Sequence, residues 1–465
     1  MTPPGAAASV ADSAGVESFG YKQELKRALS PFDLLVYGLV FIVPIAPWSS
    51  FGFVFNASMG MVPLVYFVGL VAMIFTALSY MTMSAAFPVA GSVYAYAGRG
   101  ISENTGFLAG WALLLDYLLL PTLIYIICAV SVHAIYPAVP KAVLVAAFLG
   151  FNTVINLFGV ESTARLSVVL LVLQLCLLLL FMALCVLAVL HGVNGAHWTT
   201  TPLFDAHRVS PSLIFGALSL AVLSFLGFDA ISTLTEEAKG GAKSVGWATM
   251  LSLLFAAGLF ILQTWLASLV VLDRTQFKAG DETTTAFLVI AKLIGGESFR
   301  FVVSIVGVLI SGLAGALTAQ AATARLLFSM ARDGMLPKAL AHVGTKRQAP
   351  DRAILLVAII TLVLGVLLVD HLVLLTSMVN FGALTGFLAL HVSVVWHFMV
   401  RQRSKLWIRH LVCPTLGFAI VAYVLINAEA NAKIAGLIWM AVGLVALVVV
   451  KLRGKPPGAL LGEEL

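Results

Sequence analysis

Charge is what this sequence has least of. Asp, Glu, Lys and Arg make up 10% of 465 residues, against 61% hydrophobic, and the mean hydropathy is +1.05. A soluble globular chain carries about a quarter charged residues, so that class is excluded. Cysteine is also scarce. Cys128, Cys176, Cys185 and Cys413 lie in or beside apolar runs without metal-ligand spacing, which predicts free thiols, no disulfide and no zinc. His-Glu-x-x-His, Gly-x-Ser-x-Gly and Cys/His clusters are missing, which argues against a membrane-embedded enzyme and gives no cofactor a foothold. A repeated filter or a ring of charge is missing too, which argues against a channel.

What is present is a series of apolar runs long enough to cross a bilayer, the mark of an all-α integral membrane protein in one domain. Hydropathy places about twelve transmembrane spans, near 32–56, 62–86, 104–135, 141–159, 164–190, 212–237, 246–272, 299–331, 353–369, 371–398, 410–427 and 433–451. The first begins near Phe32 without a cleavage site, so no signal peptide is expected. Residues 1–28 read as a disordered cytoplasmic tail and 453–465 as a second tail. With the N-terminus inside, the 27 basic residues sort into about 20 on the cytoplasmic side and about 7 outside. That asymmetry places both termini in the cytoplasm of a multi-pass inner-membrane protein. It also accounts for the net charge of +6 with no nucleic acid.

Two spans are interrupted. Span 6 carries Ser224-Phe225-Leu226-Gly227-Phe228-Asp229-Ala230. A carboxylate at membrane depth is expensive and marks a pathway or a partner, and Gly227 weakens the helix beside it. Asp229 reads as a substrate site at a helix break, or as a simple N-cap of the second half-helix. Span 1 carries Val43-Pro44-Ile45-Ala46-Pro47-Trp48-Ser49-Ser50, whose prolines free the carbonyls of Val40 and Val43. Freed backbone in a membrane must face protein or water, so a break is expected here, with a kinked continuous helix as the alternative. Spans 1 and 6 take equivalent places in two five-span halves, 29–190 and 212–398. Matched interruptions point to a transporter site between inverted repeats; spans 11 and 12, 399–452, lie outside that core.

Span 3 adds a second acid, Asp116, beside Tyr117, and Pro121 frees the Tyr117 carbonyl. Asp116 is a coupling group or a structural partner for another helix; Tyr117 is a pocket wall with a hydroxyl. Glu236 and Glu237 end span 6 and are solvated, paired with inner arginines, or part of a cytoplasmic gate. Small residues around Gly312 and Gly315, and at Gly382 and Gly386, predict close helix approach. His133, His391 and His397 read as ordinary polar contacts. An outer loop, 271–299, has room for a short helix over the mouth.

The segment Ala324-Arg325-Leu326-Leu327-Phe328-Ser329-Met330-Ala331-Arg332-Asp333-Gly334 resembles the signature loop of the amino acid–polyamine–organocation permeases. Phe87-Pro88-Val89-Ala90-Gly91-Ser92 and Phe225 to Asp229 are similar to that family as well. The likeness spans about Leu25 to Leu452 and is nearest to its bacterial putrescine importers, through Leu114 to Leu118, Ser224 to Ala230 and Asn380 to Leu384. It implies a leucine-transporter-type fold with broken helices 1 and 6, and transport driven by protons or exchange. Tyr117 matches a tyrosine implicated in putrescine recognition. The chain departs from the pattern at Ser49, where the importers carry an aspartate, at Val89, and at Gln174, where some proton-coupled relatives carry a lysine. Losing the span 1 acid removes one partner for a second ammonium.

Within the candidate pocket the acids Asp116 and Asp229 meet no mid-membrane Lys or Arg, which favours a cationic amine as cargo. The expected substrate contacts are Asp229, Tyr117, Pro44, Ile45, Trp48, Ser49, Ser224 and Phe228. Asp116, Glu236 and Glu237 are the coupling or gating groups. The predicted function is import of a putrescine- or polyamine-type amine by alternating access, with a proton as co-substrate. A zwitterionic amino acid remains the alternative, its carboxylate held by amides at the second half of span 1. Oligomeric state is not legible.

Overall fold

The computed structural model describes Phe19 and residues 23–133, 136–278, 281–428 and 430–452. Most of both expected tails lies outside these residues. Gln23 to Leu29, however, are bound to the body of the protein: Leu25 is buried, and the Ala28 and Leu29 amides donate to the Glu237 carbonyl at 3.1 and 3.0 Å.

The described residues form helices throughout. They are α1 (Pro31–Ile42), α2 (Pro47–Ala57), α3 (Val62–Ala86), α4 (Ser92–Gly100), α5 (Glu103–His133), α6 (Lys141–Leu157), α7 (Val160–Leu190), α8 (Pro211–Ala221), α9 (Gly241–Leu269), α10 (Ala286–Val302), α11 (Val308–Arg332), α12 (Asp351–Leu367), α13 (Leu372–Val394), α14 (Cys413–Ile426) and α15 (Ala430–Leu452). Among these residues nine helical stretches are long and apolar enough to cross a membrane, ten if the bent pair α1 and α2 counts as one. The remaining two of the twelve expected spans are α6 and α12, of 17 residues each. At 1.5 Å per residue they reach roughly 25 Å, short of a hydrocarbon core of about 30 Å.

The long helices are apolar on nearly every side because each faces either lipid or another helix. Glycines set where backbones meet. A Cβ on Gly382 would lie 2.7 Å from the Asp116 amide nitrogen, and one on Gly386 would lie 2.7 Å from Leu113 Cδ2, so α13 presses directly on α5. A Cβ on Gly312 would overlap Cys128 Sγ, which brings α11 against the other part of α5. Close approach of this kind is how helices gain packing energy where lipid offers no hydrophobic drive. His391 sits between Ser79 (3.0 Å) and Thr76 (3.2 Å), an ordinary polar contact between α13 and α3.

The expected outer loop carries the start of α10. At Gly296 (φ 73°, ψ −171°) this helix turns sharply, and a π turn, Val303–Gly307, leads into α11. The loop before it is tied to α2. Asn56 donates to the Phe277 carbonyl and accepts from the Phe277 amide, both at 2.8 Å.

Candidate functional site

Span 1 is broken rather than kinked. Its halves α1 and α2 meet at 53°, and Val43 between them adopts φ 60°, ψ 97°, a strained region for a β-branched residue. Pro44 supplies no amide, and its own carbonyl has left the helical ladder. Gln263 of α9 takes up that carbonyl, its Nε2 donating at 2.8 Å. The Gln263 Oε1 accepts from Trp48 Nε1 at 2.7 Å. One buried amide therefore bridges both sides of the break. Trp48 stacks on Phe287 at 4.8 Å and lies 5.5 Å from Phe181. Ile45 is buried in the break. Ser49 is exposed and its hydroxyl donates to the Ala46 carbonyl at 3.0 Å.

Span 6 is broken by different means. After α8 a short 3₁₀ turn, Val222–Phe225, ends in an extended Leu226 (ψ 145°), and Gly227 adopts φ 111°. Any side chain at Gly227 would be strained, and its Cβ would lie 2.1 Å from Phe41 Cδ1. A second 3₁₀ stretch, Phe228–Glu237, follows. Within it the hydroxyls of Ser232, Thr233 and Thr235 each donate to the carbonyl three residues back, at 2.6, 2.6 and 2.7 Å. Side chains thus engage carbonyls that no membrane water would reach. The two breaks are joined through Tyr66 of α3, whose hydroxyl lies 3.0 Å from both Ser50 and Ser224.

Asp229 lies on this second stretch, 1% exposed. Its Oδ2 accepts from Tyr117 Oη at 2.7 Å and from Tyr80 Oη at 3.5 Å, and its Oδ1 accepts from the Gly227 amide at 3.2 Å. Gly227, not Asp229, is the N-cap residue, so the simple-cap alternative is corrected: the carboxylate reaches back to the cap amide and keeps its other oxygen for the tyrosines. Phe228 is buried against Tyr80 and Phe387, with ring centroids at 6.0 and 5.8 Å. Tyr117 in turn is fixed from behind, because the carbonyl freed by Pro121 accepts from Thr323 Oγ1 of α11 at 2.5 Å.

Asp116 is 2% exposed, and its Oδ1 receives no hydrogen bond. Among the described residues no lysine or arginine pairs with either acid. The structure thus joins Tyr117 to Asp229, with Phe228 next to it in the chain, and links Ser224 to the span 1 break; Asp116 is buried one position before Tyr117. Ser49 stays apart.

The other two acids of span 6 are occupied. Arg332 donates to both oxygens of Glu236, at 2.9 and 2.7 Å, and the Ala90 amide adds a third bond at 2.9 Å. Arg325 grips both oxygens of Glu237, at 2.8 and 3.0 Å. Bidentate pairs of this kind are strong and directional. Of the three readings open for these glutamates, the described conformation has both buried and paired. The site also rests on Gln263, Tyr66, Tyr80 and Thr323, which sequence reasoning did not single out. Each is one of several polar residues on a largely apolar helix, Tyr66 and Tyr80 sharing α3 with Thr76, Ser79 and Thr82, so nothing in the sequence singled it out.

The model of the family described as amino acid permease matches residues 34–450. The chain is 33% identical over 438 residues to the low-affinity putrescine importer PlaP of Escherichia coli (strain K12), covering 92% of this chain and 94% of that one. It is 25% identical over 458 residues to the branched-chain amino acid permease BcaP of Bacillus subtilis (strain 168), covering 91% and 93%. It is 26% identical over 399 residues to the methylthioribose transporter of the same organism, covering 80% and 81%. These relatives are transporters, not enzymes.

Proposed function

The chain belongs to the amino acid permease family, and on that premise we propose that it imports a small organic amine of the putrescine or polyamine type across the cytoplasmic membrane by alternating access. The observation that carries this reading is Asp229, a buried carboxylate at a helix break with tyrosines but, among the described residues, no cation paired with it. A buried negative charge is stable only when paired or neutralised, and an ammonium supplies the missing charge. In this reading the amine sits on Asp229 with its alkyl chain against Tyr117, Phe228 and Trp48. Pro44, Ile45, Ser49 and Ser224 line the break.

The reading includes twelve spans in a leucine-transporter-type arrangement, with 29–190 and 212–398 as inverted repeats that rock about the two breaks. Both termini lie in the cytoplasm. Glu236 and Glu237 with Arg332 and Arg325 form the inner gate in this reading, which their buried ion pairs support. Proton coupling through Asp116 or Asp229 completes the cycle. The experiment is counterflow in proteoliposomes, loaded in turn with putrescine, monoamines and amino acids, then net uptake with and without an inward proton gradient. Putrescine-dependent counterflow is expected, and faster net uptake with the gradient. Absence of any amine counterflow sinks the reading, and equal uptake rates remove the proton.

The similarity to a branched-chain amino acid permease supports a second reading, a zwitterionic amino acid as cargo or exchange partner. The amides opening α2 would then meet its carboxylate. Counterflow with leucine but not putrescine distinguishes it.

A further inference from the structure

A strap of chain crosses the bundle where span 6 ends. The stretch Phe228–Glu237 finishes on carbonyls beyond the reach of its own helical ladder, and residues 23–29 supply donors for them. The Ala28 and Leu29 amides meet the Glu237 carbonyl at 3.1 and 3.0 Å, and Gln23 Nε2 meets the Glu236 carbonyl at 3.0 Å. The Lys239 amide returns a bond to the Leu29 carbonyl at 2.8 Å, setting Leu29 beside Ala238 as a short parallel bridge. The two glutamates whose side chains hold Arg332 and Arg325 thus have their backbone held by the strap.

The strap is firmly built. Gln23 folds it on itself, donating to the Leu25 carbonyl at 2.6 Å and accepting from Arg27 Nε at 3.1 Å, and Leu25 and Leu29 are buried. A capping box joins it to α1 without slack: the Ser30 amide donates to Asp33 Oδ2 at 2.8 Å and the Asp33 amide to Ser30 Oγ at 3.2 Å. On its other side the strap reaches elements with no break of their own. Lys26 pairs at 3.0 Å with Glu161, in the first turn of α7. Phe19 meets the edge of Phe87, just after α3, with centroids 6.4 Å apart, and lies 5.0 Å under the Arg99 guanidinium of α4. The two sides differ in kind. Toward span 6 the contacts are backbone hydrogen bonds; toward α7 and Phe87 they are an exposed ion pair and a ring edge, the set that parts more readily.

We propose that residues 23–29, with Phe19, form a latch on the inner gate. Docked, they tie the inner halves of spans 1 and 6 to α7 and to the turn between α3 and α4. The latch releases at Glu161 and Phe87 and travels with the gate when the path opens inward. This rests on the inner-gate reading of Glu236 and Glu237 and deepens it.

The test reads opening without any substrate. Ser232, three residues beyond Asp229 and buried, is replaced by cysteine and labelled with a membrane-impermeant maleimide in inverted membrane vesicles. The chain with Ser232 intact, which keeps its own four cysteines, is the blank. Phe19→Ala and Glu161→Lys are partly exposed positions, and each is expected to speed labelling about two- to fivefold, the range of one exposed contact. Adding Lys26→Glu to Glu161→Lys restores the ion pair and is expected to return the original rate. Arg332→Gln tests the gate itself and is expected to label faster with the strap intact. No gain in Arg332→Gln sinks the inner-gate reading, and the latch with it. A gain there with none, or with slower labelling, in the two strap variants overturns the latch alone. So does a gain in Glu161→Lys that Lys26→Glu does not reverse.

Discussion

Four acids on spans 3 and 6 are equally buried, yet they live under opposite conditions. Glu236 and Glu237 each meet an arginine in a two-point grip; Asp229 meets two tyrosine hydroxyls and the Gly227 amide, and Asp116 Oδ1 meets no donor. Burial alone therefore does not mark a site. A paired carboxylate has spent its charge on the fold, and an unpaired one retains it for a visitor. The same stretch, Phe228–Glu237, carries both kinds within eight residues, so the proposed gate and the proposed amine site share one short element. Movement of that element would act on both.

The largest effect expected from breaking this contrast is on the paired side. Arg325→Leu strands Glu237 as a bare buried charge and should cost about 3–5 kcal/mol of stability, whereas removing both charges together should recover most of that loss. Thermal unfolding in detergent of Arg325→Leu, and of the double variant with Glu237→Leu, measures both. Equal loss in the two would mean that the arginine packs rather than pairs.

Next comes Gly227→Ala. It forces a side chain into positive φ and against Phe41, and should cost about 2–4 kcal/mol. Transport should fall further than stability, because Asp229 moves with the break; a variant with normal unfolding and normal KM would show that the break geometry is irrelevant to the site.

Gln263→Leu should cost about 1–3 kcal/mol by leaving the Pro44 carbonyl and Trp48 Nε1 without partners. Its effect should overlap with that of Trp48→Phe instead of adding to it. A double-mutant cycle on counterflow rate reads the overlap.

The smallest effect lies outside the membrane. The hydrogen bonds from Lys141 to Asp370 and from Arg274 to Glu282 hold both carboxyls below their usual range. A depressed pKa adds stability that is present above the unfolded value and lost as pH falls through the folded one. Asp370 is solvent-exposed and Glu282 partly so, so lowering the pH below the ordinary carboxylate range should shift unfolding only slightly. Asp370→Asn should flatten that part of the profile.

Much of this arrangement was legible in the residues themselves. Prolines at 44 and 47 and a glycine at 227 announced the breaks, because backbone chemistry is local. The Pro121 rule named the Tyr117 carbonyl as free, though not Thr323 as its partner. Gln263, Tyr66 and Tyr80 stayed hidden for the same reason. Their partners lie 215, 158 and 149 positions away, and one polar residue among several on a largely apolar helix carries no periodic signal of where it points. Length was harder still. Hydropathy marked 141–159 and 353–369 as spans, and the helices there stop at 17 residues, where a turn more or less decides whether a segment crosses.

The most direct test is equilibrium binding of radiolabelled putrescine to the purified protein, wild type beside Asp229→Asn, with the unfolding temperature of each recorded. Binding that falls by about thirtyfold or more while the unfolding temperature holds is the predicted result. Undiminished binding to Asp229→Asn would contradict the claim that this unpaired carboxylate receives the cargo.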